Sequence, residues 1–128
     1  MSPSRTTAYT SMLSQTAVYW DAPQPDGGGG YTFADAVEIA CRWEDTSEMT
    51  RRADTGEETV ASAVVYVNQD LTIGGFLYLG TLDDLDSGET VDPLTVAGAQ
   101  EIMKLDKVPG RRAETFVREA WLANRRSG

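Results

Sequence analysis

From residue 36 to residue 44 the chain alternates between apolar and polar positions, at the start of a stretch that runs to residue 80. Val37, Ile39, Cys41 and Trp43 fall on one parity, and Glu38, Arg42 and Glu44 fall on the other. Successive strand residues point to opposite faces, so this period of two predicts a half-buried strand with Ile39 and Trp43 as core anchors. The chain becomes strongly apolar again at residues 63–67 (AVVYV), which predicts a return strand that carries Val65 and Val67 inward. Between the two lies residues 48–58 (EMTRRADTGEE), turned by Asp54-Thr55-Gly56. The pattern predicts a long β-hairpin with a buried base and a charged end, projecting over about residues 44–60. An isolated two-stranded ribbon is marginal in water, so that end is expected to be mobile in a single copy and ordered in an assembly.

The flanks are read in the same way. Residues 16–20 (TAVYW) predict a first strand, followed by a Pro- and Gly-rich connection over 21–30. Its four glycines lack the spacing and the Lys-Ser/Thr of a phosphate loop, so it reads as a flexible connection between strands. After a turn at Asn68-Gln69-Asp70, residues 76–79 (FLYL) are continuously apolar. That is the pattern of a strand buried on both faces, with Leu77 and Leu79 as further core anchors. Residues 81–93 hold five acids and no base. Their spacing lacks the core of a calcium loop, and they read as a solvated acidic loop. Residues 94–108 leave helix and strand both open, because Ala99, Ile102, Met103 and Leu105 fit either. Over 112–124, Ala113, Phe116, Val117, Ala120 and Trp121 recur at helical spacing and predict a short helix. A last strand over 115–122, closing a small barrel, is the competing reading.

A chain of 128 residues supports one domain that buries roughly two-thirds of its unfolded surface. Twelve glycines suit a mainly β fold with many turns. The expected organisation is a flexible N-terminal arm at 1–15, a barrel domain at 16–123 and a short tail at 124–128. No apolar run approaches the roughly 18 residues of a membrane span, and residues 1–15 lack the apolar core of a secretory signal, so a cytoplasmic origin is expected.

Composition then narrows the chemistry. The single cysteine excludes an internal disulfide, and the absence of histidine removes Ser-His-Asp, Cys-His and histidine-metal arrangements. Cys41 shares a face with Ile39 and Trp43 and reads as a small core hydrophobe. Carboxylates such as Glu44, Asp45, Glu57, Glu58 and Asp83 could in principle form an acid–base pair, but nothing in the sequence fixes their geometry. A non-enzymatic protein without metal or cofactor is expected. Trp20, Trp43 and Trp121 read as core or subunit-interface anchors. Arg51 and Arg52 either pair across the hairpin with Glu57 and Glu58 or contact a partner or DNA.

The net charge of −9 conceals an asymmetry. Residues 104–128 carry seven bases against three acids, or +4, which leaves residues 1–103 at −13. An acidic body is a poor match for nucleic-acid binding through phosphate neutralisation, which disfavours a small β-barrel nucleic-acid-binding module. Opposite signs on two regions of one subunit suit head-to-tail self-assembly.

Several segments together resemble the head-closure, or stopper, proteins of long-tailed bacteriophages. They are Cys41-Arg42-Trp43-Glu44-Asp45, Gly56-Glu57-Glu58, Ala63-Val64-Val65-Tyr66-Val67 and Gly75-Phe76-Leu77-Tyr78-Leu79-Gly80, then Ala99-Gln100-Glu101-Ile102 and Asp106-Lys107-Val108-Pro109 before a final Trp-Leu strand. The resemblance runs from about residue 16 to residue 122. It implies a small β-barrel assembled in the virion as a ring, typically of twelve copies. That ring lies between an adaptor or portal ring on the head side and a tail terminator or tail tube on the tail side. It also implies that a hairpin enters the central channel and retains DNA, which passes without specific binding. On this chain the channel hairpin would carry Glu48, Met49, Arg51, Arg52, Asp54, Gly56, Glu57 and Glu58. Candidate subunit contacts are Asp83, Asp84 and Asp86 on one side and Arg111, Arg112 and Arg118 on the other. The resemblance favours the strand reading of 115–122. Another ring of the same connector, an adaptor or a tail terminator, is the alternative.

Overall fold

The computed structural model describes residues 13–109 and 116–124. The first strand, β1 (Gln15–Trp20), is apolar on both faces, and both faces are covered. Ala17 and Tyr19 face a barrel interior, while Val18 and Trp20 face an outer layer. A short ribbon of β2 (Gln24–Pro25) and β3 (Tyr31–Thr32) follows. The four glycines form its turn, and the turn is an ordered one: the Asp26 carboxylate accepts from the Gly28 and Gly30 amides at 2.7 and 3.1 Å. The expected flexible connection is thus replaced by a self-bonded Asx-type turn.

The alternating segment forms β4 (Val37–Asp45), and its hairpin end forms β5 (Met49–Arg51) and β6 (Glu58–Val60). The chain returns as β7 (Ala63–Val67), crosses to β8 (Phe76–Leu79) and passes through three one-turn 3-10 helices. It ends in two long strands, β9 (Gln100–Pro109) and β10 (Phe116–Asn124). Six strands close an antiparallel barrel in the order β1-β4-β7-β10-β9-β8. Closure leaves no unpaired sheet edge around the core, which answers the edge-strand problem of a small β protein. Ile39, Cys41, Val65, Val67, Leu77, Ile102, Ala120 and Leu122 fill the interior, with Trp43 and Leu105 packed at its margin.

The connection from β7 to β8 runs over one end of the barrel, and Leu71 drops from it into the core as a plug. Thr72 fixes this crossing: its amide donates to the Tyr19 hydroxyl at 2.8 Å, and its hydroxyl accepts from the Ala22 amide at 2.8 Å. Gly74 and Gly75 then join the seam, with the Gly74 amide donating to Ile102 O and the Ile102 amide to Gly75 O, both at 2.8 Å. A Cβ on Gly75 would lie 2.5 Å from the Trp20 carbonyl oxygen, so only glycine permits this approach.

The barrel corrects several expectations. Residues 116–124 are strand throughout, in place of the helix; residues 112–115 lie outside the described residues, as do 1–12 of the expected arm, 125–128 of the tail, and Arg111 and Arg112. Residues 94–108 resolve into the end of a 3-10 turn followed by β9. Leu79 is 42% exposed because β9 begins at Gln100, opposite Leu77, and leaves the end of β8 uncovered on that side. Val37 is 51% exposed for a similar reason, at the barrel rim opposite Tyr19.

Leu71→Ala is expected to destabilise the fold by about 2–4 kcal/mol in urea titration, because it removes a side chain buried in the core cluster. Ile73→Ala, two residues on and 40% exposed, is expected to change stability by less than about 1 kcal/mol. Equal effects at the two positions would contradict the plug.

Candidate functional site

The candidate site is the hairpin between β4 and β7, and its shape follows from two irregularities of register. Within the hairpin, Asp45 pairs with Ala63 and Met49 pairs with Val60, so residues 46–48 oppose only residues 61–62. The extra residue bends the ribbon sharply. At the crease the Ser62 amide and hydroxyl both donate to Leu122 O, at 2.8 and 3.2 Å. Ser62 Oγ also bonds Gln100 Oε1. Ala61 is fully buried beneath the fold, where a larger side chain would hold the ribbon away.

The second irregularity lies on the surface that receives the ribbon. Between β9 and β10, Trp121 opposes Lys104 whereas Leu122 opposes Ile102, so Met103 is left over as a bulge. Its side chain turns out of the barrel and is fully buried against Ala61 and Ala123, with Trp121 packed beside them. Its carbonyl accepts from the Ala53 amide in the hairpin turn at 2.9 Å. A free-standing, projecting hairpin is therefore replaced by one folded onto the outer face of β9 and β10.

Polar contacts continue the attachment. Arg52 donates to Glu101 at 2.8 Å and, through Nε and Nη2, to Asp54 at 3.1 and 3.2 Å. Its backbone amide donates to Glu57 O at 3.0 Å, but its guanidinium forms no salt bridge with Glu57 or Glu58. Its guanidinium holds the Asp54 carboxyl below the ordinary value of 3.8. Lys104 donates to Thr50 Oγ1 at 3.1 Å, lies 3.3 Å from Asp106, and sits 5.2 Å from the centroid of the Trp121 ring. Burial of the Glu119 carboxyl raises its pKa, and the nearby Asp106 charge adds to this. The Trp121 indole N–H is buried without a hydrogen-bond partner.

What remains outward is the charged end of the hairpin. Glu48, Asp54, Gly56, Glu57 and Glu58 are exposed, and the cross-strand pair Met49 and Val60 is exposed at 61% and 51%. Arg51 bonds Gly56 O at 3.1 Å and approaches Glu58 at 3.6 Å, an exposed pair of little energetic weight. All eight residues assigned to the hairpin from sequence thus share one structural unit. The residues that hold it down, Glu101, Met103, Lys104 and Thr50, escaped that reading; their only sequence signal is the apolar pair Ile102-Met103 on a strand.

Of the interface candidates, Asp83, Asp84, Asp86 and Arg118 lie among the described residues. Asp84 accepts from the Thr81 amide at 2.9 Å, and Asp86 accepts from the Gly88 and Glu89 amides at 3.1 and 3.0 Å, so both cap the 3-10 turns, while Asp83 is exposed. Arg118 bonds Asp70 at 2.9 Å with its side chain only 16% exposed. Among the described residues no group of three or more carboxylates or thiols converges on a metal-sized site. Cys41 is fully buried, and burial pushes its thiol up to about 11. Comparison of the chain with protein-family models, with curated proteins and with solved structures gives no match.

Cys41 is expected to react with a thiol reagent at pH 8 only as fast as the barrel unfolds, and labelling that outpaces unfolding would contradict its burial. Arg52→Ala and Glu101→Ala are expected to couple by about 1 kcal/mol in a double-mutant cycle and to lose exchange protection at the Ala53 amide while the barrel core keeps its own. Because the Asp54 value is depressed, its pairing with Arg52 stabilises the fold above the unfolded value of about 3.9 and is lost as pH falls through the lower folded value. An NMR titration of the Arg52 Nε–H signal checks this: it should hold steady from pH 7 to about 4 and move below. A midpoint above pH 5 would contradict the assignment.

Proposed function

We propose that the protein is a ring-forming structural subunit of a phage head-to-tail connector, one that closes the DNA-filled head and presents a surface to the tail. The observation that carries this reading is the extension between β4 and β7, neighbours in a closed barrel, which adds an exposed polar end to an otherwise complete fold. A barrel of this size gains nothing in closure from eleven further residues, 48–58, so their retention points to work done outside the core. The resemblance of the flanking segments to head-closure proteins gives that work a place, in a channel through which DNA passes.

In the ring we infer, the β9–β10 face with its hairpin is turned towards the lumen. Affinity for DNA comes chiefly from lysine and arginine neutralising phosphate. Both arginines of the hairpin lie against carboxylates, Arg51 near Glu58 and Arg52 against Asp54 and Glu101. The hairpin would then obstruct DNA sterically without gripping it, and the acidic body would let the duplex slide once the obstruction is relieved. Adaptor or portal proteins on one side and tail proteins on the other are the partners in this account, with twelve copies as the ring size the resemblance implies.

Replacing residues 51–57 by a two-residue Asn-Gly turn tests the gate. The barrel should remain folded, and tailless heads assembled with this variant should lose packaged DNA to nuclease within the time that wild-type heads protect it. Full retention would remove the gating role.

A further inference from the structure

Between the β2–β3 ribbon, the 3-10 segment and the start of β9 lies a groove of about 600 Å³. Its walls include Tyr31, Phe33, Phe76, Val91 and Leu94, with Glu101 at the start of β9. Phe33 and Phe76 meet edge to face at 5.8 Å and form a rigid floor. Above that floor Tyr31, Val91 and Leu94 are 68%, 45% and 48% exposed, an apolar rim left uncovered by the other described residues. The segments that build the groove, residues 20–38 and 72–101, contain four and six acids respectively and no base. One carboxylate oxygen of Asp92 caps Leu94 at 3.0 Å, on the groove wall itself. Glu101 on its wall already pairs with Arg52 of the hairpin, and the acidic segments around the groove favour an occupant that combines apolar surface with positive charge.

The chain supplies such a surface at the other end of the same strand. Six residues beyond Glu101, Lys107 stands opposite Arg118 in the β9–β10 pairing, and both reach Asp70, at 3.9 and 2.9 Å. The segment that joins these strands reads Val108-Pro109-Gly110-Arg111-Arg112-Ala113. At roughly 3.3 Å per residue, Lys107 lies about 20 Å from Glu101 along a paired strand.

We propose that the groove receives the basic end of the β9–β10 hairpin of a second copy. The contact is heterologous, one patch of each copy meeting a different patch of the next, which is the geometry that closes rings. It rests on the assembly reading above and specifies the joint between neighbours. Aromatic and aliphatic side chains of the groove supply the buried centre, and carboxylates around arginines supply register and partner choice.

Disulfide trapping between two full-length single variants, Leu94→Cys and Arg112→Cys, tests the joint, with buried Cys41 left in place. Under mild oxidation in low salt, the mixed pair should cross-link at least tenfold faster than either variant alone, and the double variant Leu94→Cys/Arg112→Cys should give a ladder of multimers. Sedimentation of the unmodified protein is run alongside. Multimers without the mixed cross-link would overturn the groove contact and leave the ring standing. Leu94→Cys cross-linking to itself would show a two-fold dimer and overturn the heterologous joint. A monomer at all concentrations would overturn the ring and the joint together. Glutamate at both Arg111 and Arg112 should abolish self-association without changing the urea midpoint; unaltered association would show that charge does not hold the joint.

Discussion

Two adjacent residues of β9 set the course of the whole chain. Ile102 points into the barrel and exchanges backbone bonds with Gly74 and Gly75, which closes the shortest seam of the sheet. Met103, the bulged residue beside it, points outward and carries the hairpin on its side chain and carbonyl. Strand geometry alone would require only that neighbours face opposite ways. The bulge adds that Met103 and Lys104 both serve the outer face, so one short stretch anchors the core, the apolar underside of the hairpin and its polar attachment. Loss of the bulge would shift one side of that arrangement by a residue and turn the remaining apolar set around.

The same geometry divides labour across the molecule. Two faces of the barrel are covered, one by the folded hairpin and one by the 3-10 segment, whose Thr90 carbonyl accepts from the Trp20 indole at 3.1 Å. The covering layers are held by a few polar contacts and small apolar clusters, while the interior is continuous. Local opening is therefore cheaper in the layers than in the barrel, and movement of the hairpin need not disturb the fold. A stiff body with a separately attached end is what a gate in a ring requires. The charge distribution is consistent with that use, since the hairpin arginines lie against carboxylates and the exposed end is dominated by acids.

How far the sequence could be read depends on how many faces of each strand are covered. β4 is exposed on one face along most of its length, and its alternation is plain in Val37, Ile39, Cys41 and Trp43. β10 is covered on both faces: Ala120 and Leu122 point inward, and Trp121 and Ala123 lie under the hairpin. Two apolar faces erase the period of two, and the remaining spacing imitated a helix. In β9 the bulge places Ile102 and Leu105 on the inner side three residues apart, the interval that made residues 94–108 ambiguous. The charged end of the hairpin was legible as a unit because turn residues and polarity mark it locally. Its fold-back was not, since the bend arises from a one-residue mismatch between arms and the docking surface lies about fifty residues further along the chain. Leu79 shows the complementary limit: parity gave its face, but only the starting point of β9 decides whether that face is covered.

The central claim is a ring in which each barrel turns its hairpin face to the lumen. Electron cryomicroscopy of the assembled full-length protein tests it most directly. The account expects a closed ring whose narrowest opening is lined by residues 54–58 of every copy, with β9 and β10 behind them. A ring with the hairpins on its outer circumference, or a solution of single copies under conditions that preserve the fold, would contradict it.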